Sequence, residues 1–177
     1  MNENENVLSN TFGGQMRGQG AISAKQRFIV QQGLAEPPAR SAVERYSALQ
    51  FQPRVVGAGL LLGVILQSAL AFLLISLLLA WSASRPRANP FDRIYNARVR
   101  PRTGWPLPPA RAPRRFAQAM EATCSLAIAL ALAGRQTALA RVLELALLVV
   151  AAGIVLRGFC FGAYSYQRLR TWRAERH

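Results

Sequence analysis

Histidine and lysine are almost missing from this chain of 177 residues: His177 is its last residue, and Lys25 is the single lysine among 22 basic side chains. Membrane haem and chlorin groups are commonly held by histidine, so no such cofactor is expected. Cysteine occurs only as Cys124 and Cys160, which excludes a disulfide framework and a four-cysteine metal site. Acid is scarce as well, with eight Asp and Glu against 22 Lys and Arg. The chain shows no carboxylate cluster, no phosphate-binding glycine loop and no nucleophile beside a base, so neither a catalytic residue nor a metal is expected. The opening Met1-Asn-Glu-Asn-Glu-Asn has no basic stretch and no early apolar run, and no cleavable signal peptide is expected.

What the chain does hold is segregated. Hydrophobic residues make up 51% of it and mean hydropathy is +0.14, beside a formal charge of +14. A soluble nucleic-acid binder would spread its apolar residues along amphipathic elements, whereas here they fall into long uncharged runs. That segregation points to lipid and leaves nucleic acid as an unexpected partner.

Residues 1–54 read as a polar, extended tail, with glycines at 13, 14, 18 and 20 and Pro37-Pro38 in its middle. Within it Ser41–Gln50 has Val43, Tyr46 and Leu49 at a spacing of three, which suits either a short amphipathic helix or a loop on the membrane surface. Residues 55–81 carry no formal charge over 27 positions. As one helix they would reach about 40 Å, so length favours one tilted crossing over two.

Residues 82–115 hold nine arginines, the single acid Asp92 and seven of the ten prolines. A connector of that composition breaks long helices, with room for one helical turn at Pro90–Arg98 capped by Asn89. Its charge beside a membrane span places it in the cytoplasm, facing anionic lipid headgroups. Residues 116–164 form a second apolar block broken at Gly134–Thr137, long enough to cross twice. The basic C-terminal tail, 165–177, then returns to the side of the basic loop, and the N-terminal tail is expected there too because Arg40, Arg45 and Arg54 flank the first block.

Several residue groups resemble a known family. Arg85-Pro86-Arg87 with Asn89-Pro90-Phe91, then Val99-Arg100-Pro101-Arg102, then Arg114-Arg115-Phe116-Ala117-Gln118, and finally Gly158-Phe159-Cys160-Phe161-Gly162, stand in the order and spacing of the bacterial domain of unknown function 4395, over about residues 40–167. The resemblance implies an all-α protein of the bacterial inner membrane with about four membrane-embedded helices and no established activity. It also implies that 55–81 is a compressed hairpin turning near Gln67-Ser68, with three spans as the alternative. The family pattern commonly closes on a Cys-x-x-Cys pair, but Ala163 stands at the second position here, so a resolving thiol is missing from that motif.

Four ionisable residues fall inside the second block: Glu121, Arg141, Glu144 and Arg157. Arg141 and Glu144 are three apart and suit a local pair. Glu121 and Arg157 have similar depths in an antiparallel hairpin, where they either pair across it or snorkel separately to the interface. Gly59-x-x-x-Gly63 and Gly158-x-x-x-Gly162 offer faces for close helix packing, within the domain or against another membrane protein. Cys124 and Cys160, with no lysine or histidine near them in an apolar setting, are expected to be reduced packing residues. Two functions follow as expectations: a non-catalytic accessory or assembly subunit packing against other membrane-protein subunits, or a membrane thiol protein using Cys160 in redox or sulfur transfer.

Overall fold

The computed structural model describes residues 23–174, and among these all regular structure is helical. The glycine-rich opening, the signal-peptide question, Arg176 and His177 lie outside the described residues. Three helical stretches are long and apolar enough to cross a membrane: Ser41–Leu66, Ala112–Ala133 and Thr137–Arg157. Ala69–Ser84 is apolar but shorter.

The first of these stretches is two helices, α2 (Ala39–Leu49) and α3 (Phe51–Leu66), meeting at Gln50. Pro53 explains the break, since its ring clashes with the carbonyl four residues back and its nitrogen donates nothing. The uncharged run then turns. Gln67 takes a left-handed conformation at φ 47°, the Ser68 amide reaches back to the Gly63 carbonyl, and the Ser68 hydroxyl caps α4 (Ala69–Ser84) through the Ala71 amide. The turn therefore falls at Gln67-Ser68, as the family pattern implies, and 55–81 is not one straight crossing.

Two long helices follow, α7 (Ala112–Ala133) and α8 (Thr137–Arg157), preceded by two short ones, α5 (Pro90–Ile94) and α6 (Arg100–Thr103). Side-chain contacts fix the directions. Ser76 donates to the Ala122 carbonyl at 2.8 Å and Arg115 Nε to the Ala83 carbonyl at 2.7 Å, so α4 and α7 run antiparallel along their seam. Gln50 donates to the Ile154 carbonyl at 2.8 Å and Gln67 meets Glu144, so α3 runs antiparallel to α8. Val56, Leu60, Phe72, Leu79, Ala122, Ile128 and Leu147 form the buried core between these four helices. Their outer faces carry exposed Leu, Ile and Val, among them Leu62, Ile65, Leu74, Leu130, Val142 and Val149. An apolar outside over an apolar inside suits a helix bundle solvated by lipid.

Residues 82–115 are not an irregular connector. A 3₁₀ turn at Pro86–Ala88, α5, a π-helical turn at Tyr95–Val99 and α6 form one folded cap. The prolines do not prevent it because Pro86, Pro90, Pro101 and Pro113 all stand in the first turn of their helices, where a missing N–H costs no hydrogen bond. The expected cap is present: Asn89 Oδ1 accepts the Phe91 amide at 3.0 Å. The π turn lets the chain widen just before Pro101.

The N-terminal region is likewise folded where it is described. Ser23 and Gln26 form a reciprocal capping box for α1 (Ala24–Gln31), and Phe28 and Ile29 are buried in a second core with Ala48, Leu49, Tyr95, Leu107, Cys160 and Ala163. The reading of 1–54 as an extended tail therefore fails over α1, while α2 is the short helix that Ser41–Gln50 allows in place of a surface loop. The second apolar block also ends earlier than Tyr164. Gly158, at φ 62°, closes α8 with the Phe159 amide bonding the Gly153 carbonyl, and α9 (Phe161–Ala174) starts afresh across α7.

Candidate functional site

Helix α7 is apolar over most of its surface, yet Arg114, Gln118, Glu121 and Ser125 recur at helical spacing along one inward stripe. Each is placed differently. Arg114 is buried and donates to Asp92 at 2.6 and 3.4 Å and to Gln52 Oε1 at 2.7 Å. Gln118 donates to the same Gln52 oxygen at 2.8 Å. Burial pushes the Asp92 carboxyl above its ordinary range, and the Arg114 guanidinium pulls it back in part. The network clamps α3, α5 and α7 together just inside the cap.

Glu121 stands one turn further along. Among the described residues it has neither a hydrogen bond nor an ion pair. Its half-buried side chain lies on the wall between two spaces. One is a chamber of about 40 Å³ with Gln32, Gln52, Arg114 and Gln118 in its lining. The other is an apolar groove of about 180 Å³ between α7 and α8, closed at one end by the start of α9. Cys160 touches both spaces and Cys124 the groove.

The expected pair between Glu121 and Arg157 is not formed. Arg157 is exposed at the end of α8, and the ion pairs among the described residues are Asp92–Arg114 and Arg141–Glu144. Glu121 lies beside Val150, Ile154 and Cys160, whereas Arg157, the last residue of α8, stands exposed beyond them. Arg141 does reach Glu144, at 3.5 Å, from an exposed position, while Glu144 is buried and also accepts both 3.1 Å contacts of the Gln67 amide.

All four motif glycines pack within the chain. A side chain at Gly63 would meet Phe72 at 3.2 Å, one at Gly59 would meet Ile75 at 3.4 Å, and one at Gly158 would meet Tyr46 at 3.0 Å. Gly162 lies so close to α7 that a Cβ would come within 2.7 Å of the Ala117 Cα. The two sequence pieces Phe116-Ala117-Gln118 and Gly158–Gly162 are thereby brought into one place, beside Glu121. Both cysteines are free. Cys160 immediately precedes α9; burial pushes its thiol up, opposed by the Ala163 amide, the Gln32 side chain and the Gly162 amide.

Sequence reading leaves out Gln52, and it gives Asp92 only as the lone acid of its segment and Gln118 only as part of a family motif. Periodicity could have found the α7 stripe, because residues 114, 118, 121 and 125 repeat at three and four on an otherwise apolar helix.

The chain belongs to the family described as Domain of unknown function (DUF4395), whose profile matches residues 46–171. No curated protein and no solved structure matches it.

Proposed function

As a member of that family the chain has no inherited activity, and we propose that it is a non-catalytic integral protein of the bacterial inner membrane, an accessory or assembly subunit of a larger membrane complex. In this reading α3, α4, α7 and α8 lie in the bilayer as two hairpins, with the cap, the N-terminal helices and α9 on the cytoplasmic side. The observation that carries the reading is the cap. Its helical run from Pro90 to Thr103 is anchored by buried Phe91 and Tyr95 and by two hydrogen bonds, from the Leu107 amide to Asn96 Oδ1 at 2.8 Å and from Asn96 Nδ2 to the Leu107 carbonyl at 3.0 Å. From it Arg93, Arg98, Arg100 and Arg102 project into solvent, and its single acid is buried on Arg114. A fixed array of cations that forms no ion pair among the described residues suits an anionic surface at the membrane plane, either acidic headgroups or the acidic cytoplasmic face of a neighbouring subunit. The glycine faces, being occupied internally, do not supply the docking surface.

The test is extraction from native membranes in mild detergent, with and without the joint substitution of Arg93, Arg98, Arg100 and Arg102 by Gln. A stoichiometric partner that the substituted protein loses supports the subunit reading. A lone monomer, even after cross-linking in the membrane, refutes it.

A second reading is favoured by one observation: Cys160 lies at the start of α9, on the groove shared with Glu121. It makes the chain a membrane thiol protein acting in redox or sulfur transfer, and it requires Cys160 to alkylate rapidly at neutral pH in the folded protein.

A further inference from the structure

The groove between α7 and α8 combines three properties. It is lined by Met120, Leu147, Val150 and Ile154 on its apolar walls, it opens sideways where Met120, Val150 and Phe161 are exposed, and it contains one carboxyl group, that of Glu121, without a partner among the described residues. Ionisable side chains at membrane depth are costly to hold and commonly mark a ligand or ion path. Glu121 lies about 14 Å along α7 from Ala112, about one turn beyond Gln118 and inside the groove. An acyl chain would fill the groove and leave the carboxyl unpaired. A phosphate would be repelled by it when ionised.

The volume narrows the class further. An apolar cavity of roughly 150 Å³ takes up a benzene ring, and this groove measures about 180 Å³. From these observations we propose that the groove binds the ring of a membrane-soluble quinol, whose phenolic hydroxyl donates to Glu121 and whose isoprenoid tail leaves between Met120 and Val150 into lipid. The ring rests against Leu147 and Ile154. The chamber on the far side of Glu121 has Gln52, Arg114 and Gln118 in its lining, so the carboxyl stands at the edge of a polar space while it accepts a hydrogen bond outward. No electron transfer is part of the proposal, which concerns binding alone and goes beyond the subunit reading.

The experiment uses the full chain in nanodiscs and a decyl-substituted benzoquinol as probe, with binding followed by equilibrium dialysis. Saturable binding of one probe per chain is expected. Glu121→Leu should weaken it by about tenfold or more, as expected for losing a hydrogen bond to a charged or strongly polar group, while Val150→Trp should abolish it by filling the mouth. A second measurement on the unmodified protein guards against misfolded variants: the probe should slow maleimide labelling of Cys124, which shares the groove. Overturning results are a wild-type protein without saturable binding, a Glu121→Leu variant with undiminished affinity, unprotected Cys124, or equal competition by decane, which would make the site a mere acyl slot.

Discussion

Gln67 and Glu144, 77 residues apart in sequence, meet at the tip of the first hairpin, where the Gln67 amide nitrogen is 3.1 Å from each carboxylate oxygen. The contact answers a problem of length. Helices α3 and α4 have 16 residues each, about 24 Å, whereas α7 and α8 have 22 and 21 and reach over 30 Å. The shorter hairpin therefore turns below the tip of the longer one, against the side of α8. Glu144 supplies an acceptor there, and Arg141 runs from it to the surface.

Replacing Glu144 by Leu should accordingly lower stability by about 1–2 kcal/mol, the range for hydrogen bonds between membrane helices plus the amide left unpaired. Glu144→Gln keeps an acceptor for Gln67 and should lose less. Thermal unfolding in a single detergent measures both. Equal losses would mean that the carboxylate matters only for Arg141.

Glycine positions give a sharper contrast. Gly162→Ala would drive its Cβ to 2.7 Å from the α7 backbone, so α9 must shift, and overpacking of that kind costs about 1–3 kcal/mol. Gly57, also helical, has nothing within 4 Å of where a Cβ would stand. Gly57→Ala should be neutral or stabilise by up to about 1 kcal/mol through helix propensity. The two melting temperatures, compared side by side, test whether Gly162 is fixed by the approach of Ala117.

These elements differ in how readable they are from sequence. The turn at Gln67-Ser68 comes from the family resemblance, since length alone favours one crossing, whereas the Asn89-Pro90 cap shows because its signature is local. The folded cap does not show, since proline density reads as disruption until each proline is seen to stand in a first turn. Helix α1 is hidden because Phe28 and Ile29 are two apolar residues among polar ones, and their burial depends on Tyr46, 18 residues on, whose ring lies 5.3 Å from that of Phe28. At Glu121 the sequence gives depth along the helix but not azimuth, and azimuth decides that the carboxyl faces a groove.

The proposed topology of two hairpins has a direct test. In a background where Cys124 and Cys160 are replaced by Ala, Ser84→Cys and Thr171→Cys should label with an impermeant maleimide from the same side of sealed vesicles, and Arg135→Cys from the other. All three positions are exposed, so access depends on the side alone. Opposite labelling at 84 and 171 would break the hairpin assignment.

The clamp of Asp92, Arg114 and Gln52 should be the most sensitive site in the cap. Asp92 and Arg114 each expose 8% of their side chains, so neither can turn to solvent if the other is removed. Asp92→Ala leaves a buried guanidinium with Gln52 as its remaining hydrogen-bond partner, and stranding a buried charge in this way costs about 3–5 kcal/mol. Arg114→Ala removes the cation instead, and because burial already biases the Asp92 carboxyl toward its neutral form, Asp92 can protonate and relieve part of the loss. The two variants should therefore differ in pH dependence. Without Arg114, the folded-state carboxyl is raised further above its unfolded value, so stability should recover as pH falls through that raised value and decline as pH rises. Asp92→Ala has no such carboxyl and should lack this component of the pH dependence. Melting temperatures of the two proteins between about pH 4 and 8 decide it, and parallel curves would show that the Asp92 carboxyl is solvated once Arg114 is gone.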